Sequence, residues 1–293
     1  MLLAVGAVLL AAAALAGPHQ PGQPPASAAP ANPQIRQEIV DRQPWLIDAA
    51  VARIAESSAP GAQVYFLGFA GFGDERVFAE EIALAEQRVA QRYDAAARSL
   101  RLVNDRRDLE KYPFATVASL RYALNALGRV MDEEDVLFLA LSSHGSEDAT
   151  VAISNPGMRS DDLSATALAE ALDHAGIRWR VIVISACYSG SFIDTLADHR
   201  TIVLSAAARD RPSFGCSDDR HLTYFGEGFY RDALPTARSL RDAFEATRSE
   251  IVKREKKARV RPSRPQSYFG PLMESKLAQL EAVRYSSSVV PIR

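Results

Sequence analysis

Two apolar runs of this 293-residue chain each end in a residue with reactive chemistry. The run LFLALSS is followed by His144 and Gly145, and the run VIVIS is followed by Ala186 and Cys187. Each run is long enough for one buried strand, and open parallel sheets present their catalytic groups where such strands end. Neighbouring strands would bring an imidazole beside a thiol. That pair is the minimum for a cysteine nucleophile, because a thiol needs a base or a positive neighbour to supply thiolate at neutral pH.

Each of these residues also has a simpler interpretation. A free cysteine is commonly an inert buried residue, and a loop histidine commonly has no role in chemistry. Here both occur together, each after a core strand, and glycines at 145 and 190 permit tight turns beside them. The combination favours a catalytic pair. The chain has no HExxH motif, CxxC cluster or GxSxG elbow, so we expect no metal, no cofactor and no serine nucleophile.

Apolar segments alternate with helical ones along the chain. Strands are predicted at 63–69, 99–103, 136–142, 180–185 and 201–206, with a short hairpin strand at 150–154. Helices are predicted at 34–57, 75–97, 116–127, 163–174, 239–255 and 272–283, and Gly128 is expected to cap the third of them. This order implies right-handed crossovers and an α/β fold. We expect an open, mainly parallel sheet with helices on both faces.

The N-terminal region differs in composition from the rest. Residues 2–16 are continuously apolar, residues 17–33 form a Pro/Ala-rich linker, and residues 34–293 are expected to form one domain. A transmembrane helix needs about 20 apolar residues, and the Ala-Leu-Ala ending is typical of a secretory cleavage site. No basic segment precedes the run, so it is either an export signal with an upstream start or the remnant of a longer membrane portion. Both alternatives predict an exported or periplasmic protein, and the second adds a membrane anchor.

The segments around the two reactive residues are similar to one family. His-Gly after one strand and Ala-Cys after the next resemble the caspase-like clan of cysteine peptidases, and SACYSGSF most resembles its legumain branch, which includes the glycosylphosphatidylinositol transamidase subunit. The segments TIVLSAAARDRPSFGCSDDRHLTYFGEGFY and FLGFAGFGDERVFAEE resemble further parts of that family. The likeness spans roughly residues 64–230. It implies a caspase-like fold and a bacterial-type legumain-like cysteine endopeptidase.

The resemblance also implies roles for individual residues. Cys187 is the nucleophile that forms a thioester, His144 is the general acid and base, and the backbone N–H groups of Gly145 and Cys187 bind the oxyanion. Asp74 matches the position of an asparagine that orients the histidine in legumains. An aspartate in a glycine-bearing loop is also common for turn reasons alone, so the second interpretation stays open.

Substrate recognition follows from the same comparison. Arg76 and Asp219 match an arginine and an acid of the legumain specificity pocket, Ser185 replaces a second acid, and Ser213 lies in the specificity segment. Asp218 and Arg209 compete for these roles. Cleavage after asparagine is expected, with aspartate second. The resemblance argues against a Cys187–Cys216 disulfide, because the nucleophile must stay reduced, and Cys216 is interpreted as a small packing residue.

Three functions remain open at this point. The first is a peptidase acting on a peptide or protein substrate, the second is a transpeptidase with the same dyad, and the third is a catalytically silent binding module. A net charge of −2 and 47% hydrophobic residues indicate an ordinary globular protein with no nucleic-acid partner. The basic run KREKKARVRPSR is interpreted as a solvated helix end rather than an anion-binding surface. The sequence does not indicate an oligomeric state.

Overall fold

The computed structural model describes residues 33–57, 61–107, 109–155 and 160–288. In chain order, the strands are β1 (Val64–Ala70), β2 (Ser99–Val103), β3 (Val136–Ser142), β4 (Gly145–Ser146), β5 (Thr150–Val151), β6 (Leu163–Ser164), β7 (Trp179–Ser185), β8 (Thr201–Ser205) and β9 (Gln266–Phe269). The α-helices are α1 (Pro33–Asp41), α2 (Gln43–Val51), α3 (Arg76–Tyr93), α4 (Val117–Val130), α5 (Ala165–His174), α6 (Ile193–Leu196), α7 (Tyr224–Gly226), α8 (Leu240–Ala258) and α9 (Pro271–Ser288). A π-helical turn, Glu227–Ala233, continues α7.

The central sheet has the strand order β2-β1-β3-β7-β8-β9 within the described residues. The first five strands are parallel, and β9 joins the edge of the sheet antiparallel to β8. Strands β4, β5 and β6 form a second, small antiparallel sheet beside the end of β3. The expected α/β architecture with a mainly parallel sheet is confirmed.

Both faces of the central sheet are covered, which explains why its strands are apolar along their whole length. Every residue of β1 and β3 is buried. Phe66, Phe138 and Val183 face a layer formed by α3, the π-helical turn, α8 and α9. Leu67 and Leu139 face the opposite layer, which α4, α5 and α6 form. Side chains alternate between the faces because successive strand residues point in opposite directions.

The register of the sheet brings the ends of three strands to one level. Ala70 of β1 pairs with Ser142 of β3, and Ser142 pairs with Ser185 of β7. Since these are the last residues of their strands, the loops after β1, β3 and β7 leave the sheet side by side. His144 and Cys187 each follow two residues later, so the expected neighbourhood of the two reactive residues arises directly from the register.

Three local expectations differ from the structure. The helical stretch 34–57 is two helices interrupted at Arg42, because Pro44 is placed in the first turn of a helix and thereby starts α2 anew. Gly128 does not cap α4 but lies inside it, where an added Cβ would meet the carbonyl oxygen of Ala175 at 2.2 Å. Strand β9 was not expected, because it is a short, half-buried edge strand without clear alternation.

The chain beyond Ser239 is built into the fold. Ser239 caps α8 by accepting a hydrogen bond from the Asp242 N–H at 3.1 Å, and β9 extends the central sheet. Glu281 of α9 accepts hydrogen bonds from Arg92 at 2.7 Å and from the Tyr93 hydroxyl at 2.8 Å, in a largely buried cluster on α3. The C-terminal segment thus contributes a strand and two helices to the domain.

The N-terminal expectations fall outside the part of the chain that is described. The apolar segment 2–16 and the linker up to residue 32 lie in this region. Among the described helices, none combines the length and apolar character that crossing a membrane requires.

Candidate active site

His144 lies two residues after the end of β3, between two aromatic rings. Its ring meets Phe72 and Phe78 edge-on, with centroid distances of 4.7 and 5.0 Å. Its Nε2 atom lies 2.6 Å from Oε2 of Glu75, which is a hydrogen bond. With the Nε2 proton donated to this carboxylate, Nδ1 is the basic nitrogen of the neutral ring. The aromatic contacts and the carboxylate together fix the orientation of the imidazole.

Glu75, rather than the expected Asp74, is the residue that orients His144. The Asp74 carboxylate instead accepts a hydrogen bond from the Ser154 hydroxyl at 3.3 Å. Glu75 has an extended backbone, with φ −119° and ψ 123°, directly before α3. Asp74 lies in the turn before Glu75, and its side chain is directed to Ser154, so only one of the two acids faces the histidine. The adjacent acids Asp74 and Glu75 indicated that a carboxylate could contact His144, but the sequence did not show which of them does so.

Cys187 lies two residues after the end of β7, and its sulfur is held by Ser213. The Ser213 N–H donates a hydrogen bond to the Cys187 sulfur, with 3.2 Å between nitrogen and sulfur. The pKa of Cys187 is lowered to about 6 by a hydrogen bond from the Cys216 thiol, by the N–H and hydroxyl of Ser213 and by the charge of His144, which together outweigh the effect of burial. A thiol with this pKa is largely thiolate at neutral pH.

Cys216 therefore does more than fill space near the pocket. Its pKa is raised, because its thiol donates to Cys187 and is itself buried. Both cysteines are free in the structure, as the sequence analysis expected for the nucleophile. The two thiols interact, and this interaction lowers the pKa of Cys187 and raises that of Cys216.

This interaction predicts a change in pH dependence for the Cys216→Ala variant. Loss of the Cys216 thiol raises the pKa of Cys187. As the pH is lowered, the Cys187 thiolate therefore becomes protonated at a higher pH than in the wild-type protein. A rise of about one unit, from about 6, lowers the thiolate fraction at pH 6 about fivefold and at pH 8 by only about a tenth. The measurement is the rate of iodoacetamide labelling between pH 5 and pH 9, followed by intact mass.

The control for this experiment is the Cys187→Ala protein. We expect it to stay unlabelled at pH 6, because burial of Cys216 still disfavours the thiolate after Cys187 is removed. An unchanged labelling profile in Cys216→Ala would show that the second thiol does not stabilise the thiolate.

Gly145 packs directly on Cys187. A Cβ at this position would lie 2.1 Å from the carbonyl oxygen of Cys187 and 3.1 Å from Cβ of Ala186. In the β4–β5 pair, the Ala152 N–H donates to the His144 carbonyl at 2.9 Å. Gly145 opposite Val151 is therefore a non-hydrogen-bonded pair, and its own N–H points away from β5.

A second amide at this corner is also available. The N–H of Cys187 donates to no backbone carbonyl in the described part of the chain. Two free backbone donors beside a thiolate can bind the oxyanion that forms when a carbonyl carbon is attacked. The N–H groups of Gly145 and Cys187, for which the sequence analysis predicted an oxyanion-binding role, are therefore both available as donors.

A cavity of about 390 Å³ lies at the start of α3, next to the loop that carries Glu75. Its lining is formed by Gly73, Asp74, Arg76, Asp105, Arg106, Arg107 and Asp218. Asp218 accepts hydrogen bonds from the Arg76 backbone N–H at 3.1 Å and from the Arg106 guanidinium at 3.3 Å. Three arginines face three aspartates, so the cavity offers both donors and acceptors to a polar side chain.

The predicted substrate-binding residues are distributed over three places. Arg76 lines the cavity, and Ser213 contacts the thiol. Ser185 is buried beneath the strand ends, and its hydroxyl lies 3.1 Å from that of Thr223. Asp219 is exposed and hydrogen-bonded to Ser217, while its neighbour Asp218 lines the cavity. Asp218, which the sequence analysis left open as an alternative to Asp219, is therefore the acid that lines the cavity.

Comparison with known proteins agrees with this geometry. The family model described as the Peptidase C13 family matches residues 65–275, a range that includes all three strand ends and both reactive residues. A search of curated proteins finds no match to the chain. The matched range covers well over half of the sequence. The protein therefore belongs to the peptidase C13 family, the legumain family of cysteine peptidases.

Proposed function

We propose that the protein is an endopeptidase that cleaves peptide bonds through a thioester on Cys187, with His144 as general acid and base. The observation that carries this proposal is the Cys187 thiol after the end of β7. Its sulfur accepts a hydrogen bond from the Ser213 N–H at 3.2 Å, and its neighbours lower its pKa, which favours the nucleophilic thiolate. The oriented imidazole of His144 and the free amides of Gly145 and Cys187 supply the remaining requirements of acyl transfer.

The reaction follows from these positions. The Cys187 thiolate attacks the carbonyl carbon of the substrate, and the carbonyl oxygen becomes an oxyanion at the amides of Gly145 and Cys187. The protonated Nδ1 of His144 donates its proton to the leaving nitrogen as the C–N bond breaks. In the second half, neutral Nδ1 accepts a proton from water, which attacks the thioester and releases the acid and the thiolate. Glu75 holds the ring in place through both steps.

The cavity at Arg76 supports a preference for asparagine before the cleaved bond. The Arg76 guanidinium can donate to the side-chain carbonyl of asparagine, and the Asp218 carboxylate can accept from its amide nitrogen. Ionised aspartate has no donor for Asp218 and is repelled by its charge. Aspartate is therefore the second choice, and its cleavage increases below about pH 5, where its carboxyl group protonates.

A peptide library analysed by mass spectrometry tests this function. We expect cleavage after asparagine first and aspartate second. The Asp218→Asn variant should raise the aspartate-to-asparagine ratio roughly fivefold to tenfold, because it removes a partly solvated charge worth about 1 kcal/mol. Asp219→Asn is the matched control, since it removes the neighbouring charge from outside the cavity, and it should leave the ratio unchanged.

Other outcomes of the same experiment separate the alternatives. Preference for lysine or bulky apolar residues would contradict the assignment of the cavity as the specificity pocket. Products joined to an added amine would identify a transpeptidase. A wild-type protein without any turnover would indicate a binding module.

A further inference from the structure

Glu81 of α3 is a fully buried carboxylate behind the active site, with 0% exposure. Its Oε1 accepts a hydrogen bond from the Ser142 hydroxyl at 3.0 Å. Its Oε2 accepts from the Thr223 N–H at 3.1 Å and from the Thr223 hydroxyl at 2.6 Å. Burial raises the pKa of Glu81, and the hydrogen bonds that surround its carboxyl group oppose this rise.

The partners of Glu81 belong to three segments that carry the active site. Ser142 ends β3, two residues before His144. Ser185 ends β7, two residues before Cys187, and it pairs with Ser142 in the sheet and contacts the Thr223 hydroxyl. Thr223 follows the loop that holds Ser213 at the thiol and Asp218 at the cavity. One carboxylate therefore connects the histidine strand, the cysteine strand and the pocket loop.

The directions of these hydrogen bonds are determined by the Thr223 hydroxyl. It accepts from the Gly226 N–H at 2.9 Å, so one lone pair is in use. Its single proton points to Glu81, 2.6 Å away, and its second lone pair accepts from Ser185. Gly226 is required for this arrangement, because a Cβ there would lie 2.1 Å from Oε2 of Glu81.

We propose that Glu81 is a positioning residue, which holds the ends of β3 and β7 and the pocket loop so that His144 can protonate the leaving group of a substrate on Cys187. The inference rests on the proposed peptidase reaction. Glu81 contacts neither substrate nor the reacting atoms in this scheme, and it acts through Ser142, Ser185 and Thr223. Its loss should therefore impair the step that depends on the relative position of His144 and Cys187.

The choice of substrate separates positioning from general damage. Two substrates with the same acyl part are compared, one a peptide amide and the other an aryl ester. The amine of the peptide leaves only with a proton from His144, whereas an aryl oxide leaves readily without one. Both substrates give the same thioester, whose hydrolysis also needs His144, so the comparison uses kcat/KM, which reports only the steps up to acylation. A displaced histidine should lower kcat/KM for the amide far more than kcat/KM for the ester. A destabilised fold or a loss of active protein should slow both equally.

The test is the Glu81→Gln variant, which keeps the size of the side chain but replaces one acceptor oxygen with an NH₂ group. We expect kcat for the amide to fall by at least about tenfold with KM nearly unchanged, since a misplacement of about 1 Å can cost about a hundredfold. For the ester, kcat/KM should fall less than about threefold, because the aryl oxide leaves in the acylation step without a proton from His144. Glu255→Gln is the matched control, because Glu255 of α8 is also buried and accepts a hydrogen bond from the Ser263 N–H at 3.0 Å rather than from the end of β3 or from Thr223.

If Glu81→Gln does not fold, a second pair of variants tests the positioning role of Glu81. Thr223→Ser keeps the donor to Glu81 and should behave as wild type toward both substrates, while Thr223→Val should reproduce the amide-selective loss. Equal losses for both substrates, or no loss, would overturn the positioning role. Absence of turnover in the wild-type protein would instead overturn the proposed function, and this inference with it.

Discussion

The Cys187→Ala variant is expected to hydrolyse no peptide at a measurable rate, which corresponds to a loss of more than about a thousandfold. The substitution removes the sulfur on which the proposed thioester forms. The fold should persist, because Cys187 follows β7 rather than forming part of its hydrogen-bonded ladder. Peptide hydrolysis measures the activity, and circular dichroism with thermal unfolding measures the fold.

The natural control is the second cysteine. Cys216→Ala should retain most of the activity at pH 8, where the Cys187 thiol is ionised even without its donor. Full turnover by the Cys187→Ala protein would contradict the assignment of the nucleophile. Loss of activity in both variants, with the fold of both intact, would indicate that the pair of thiols acts as a unit.

The second large effect is expected for Gly145→Ala. The added methyl group would lie 2.1 Å from the Cys187 carbonyl oxygen, and this oxygen belongs to rigid backbone rather than to a flexible side chain. The two segments must separate, which displaces an oxyanion donor. Loss of one such donor costs about 2.7–4 kcal/mol, so we expect kcat to fall by roughly a hundredfold to a thousandfold.

Two measurements make this prediction specific to the active site. Iodoacetamide labelling of Cys187 should continue in Gly145→Ala, because alkylation forms no oxyanion. Gly228→Ala serves as the control for adding a methyl group at a buried glycine, since its nearest neighbour is the Thr247 methyl carbon at 3.1 Å. This control should stay within about threefold of wild-type activity, as most substitutions away from the site do. If Gly145→Ala hydrolysed peptides at the wild-type rate, the assignment of Gly145 as part of the catalytic site would be contradicted.

Much of the architecture could be predicted from local patterns. The five parallel strands are continuously apolar because both faces of the sheet are covered, and they alternate with helices that have the expected spacing. His144 and Cys187 were recognisable because each stands at an abrupt change from apolar to small polar residues. Family membership followed from the segments around them and is confirmed by the match over residues 65–275.

Two positions at the site differ by one residue from the first expectation. Asp74 was expected beside His144, where the structure has Glu75. Asp219 was preferred to Asp218 for the specificity pocket, and Asp218 is the one that lines the cavity at Arg76. Adjacent residues of a loop point in different directions, and backbone dihedral angles decide which one faces the site. Residue types and spacing carry no information on these angles, so two neighbouring acids are equivalent in the sequence.

Contacts between segments that are distant in the sequence could not be predicted from local sequence patterns. Glu81 has the spacing of an ordinary helix residue, and its role depends on Ser142 and Thr223 arriving from other parts of the chain. Three further features depend on packing in the same way. They are the interaction of Cys216 with Cys187, the close contact that excludes a side chain at position 145, and the edge strand β9. The periodicity of the helices and strands, and the reactive residues that follow strands, can be recognised from short stretches of sequence. The orientation of the histidine, the pKa of the thiol and the lining of the cavity arise only when the folded chain brings separate loops together.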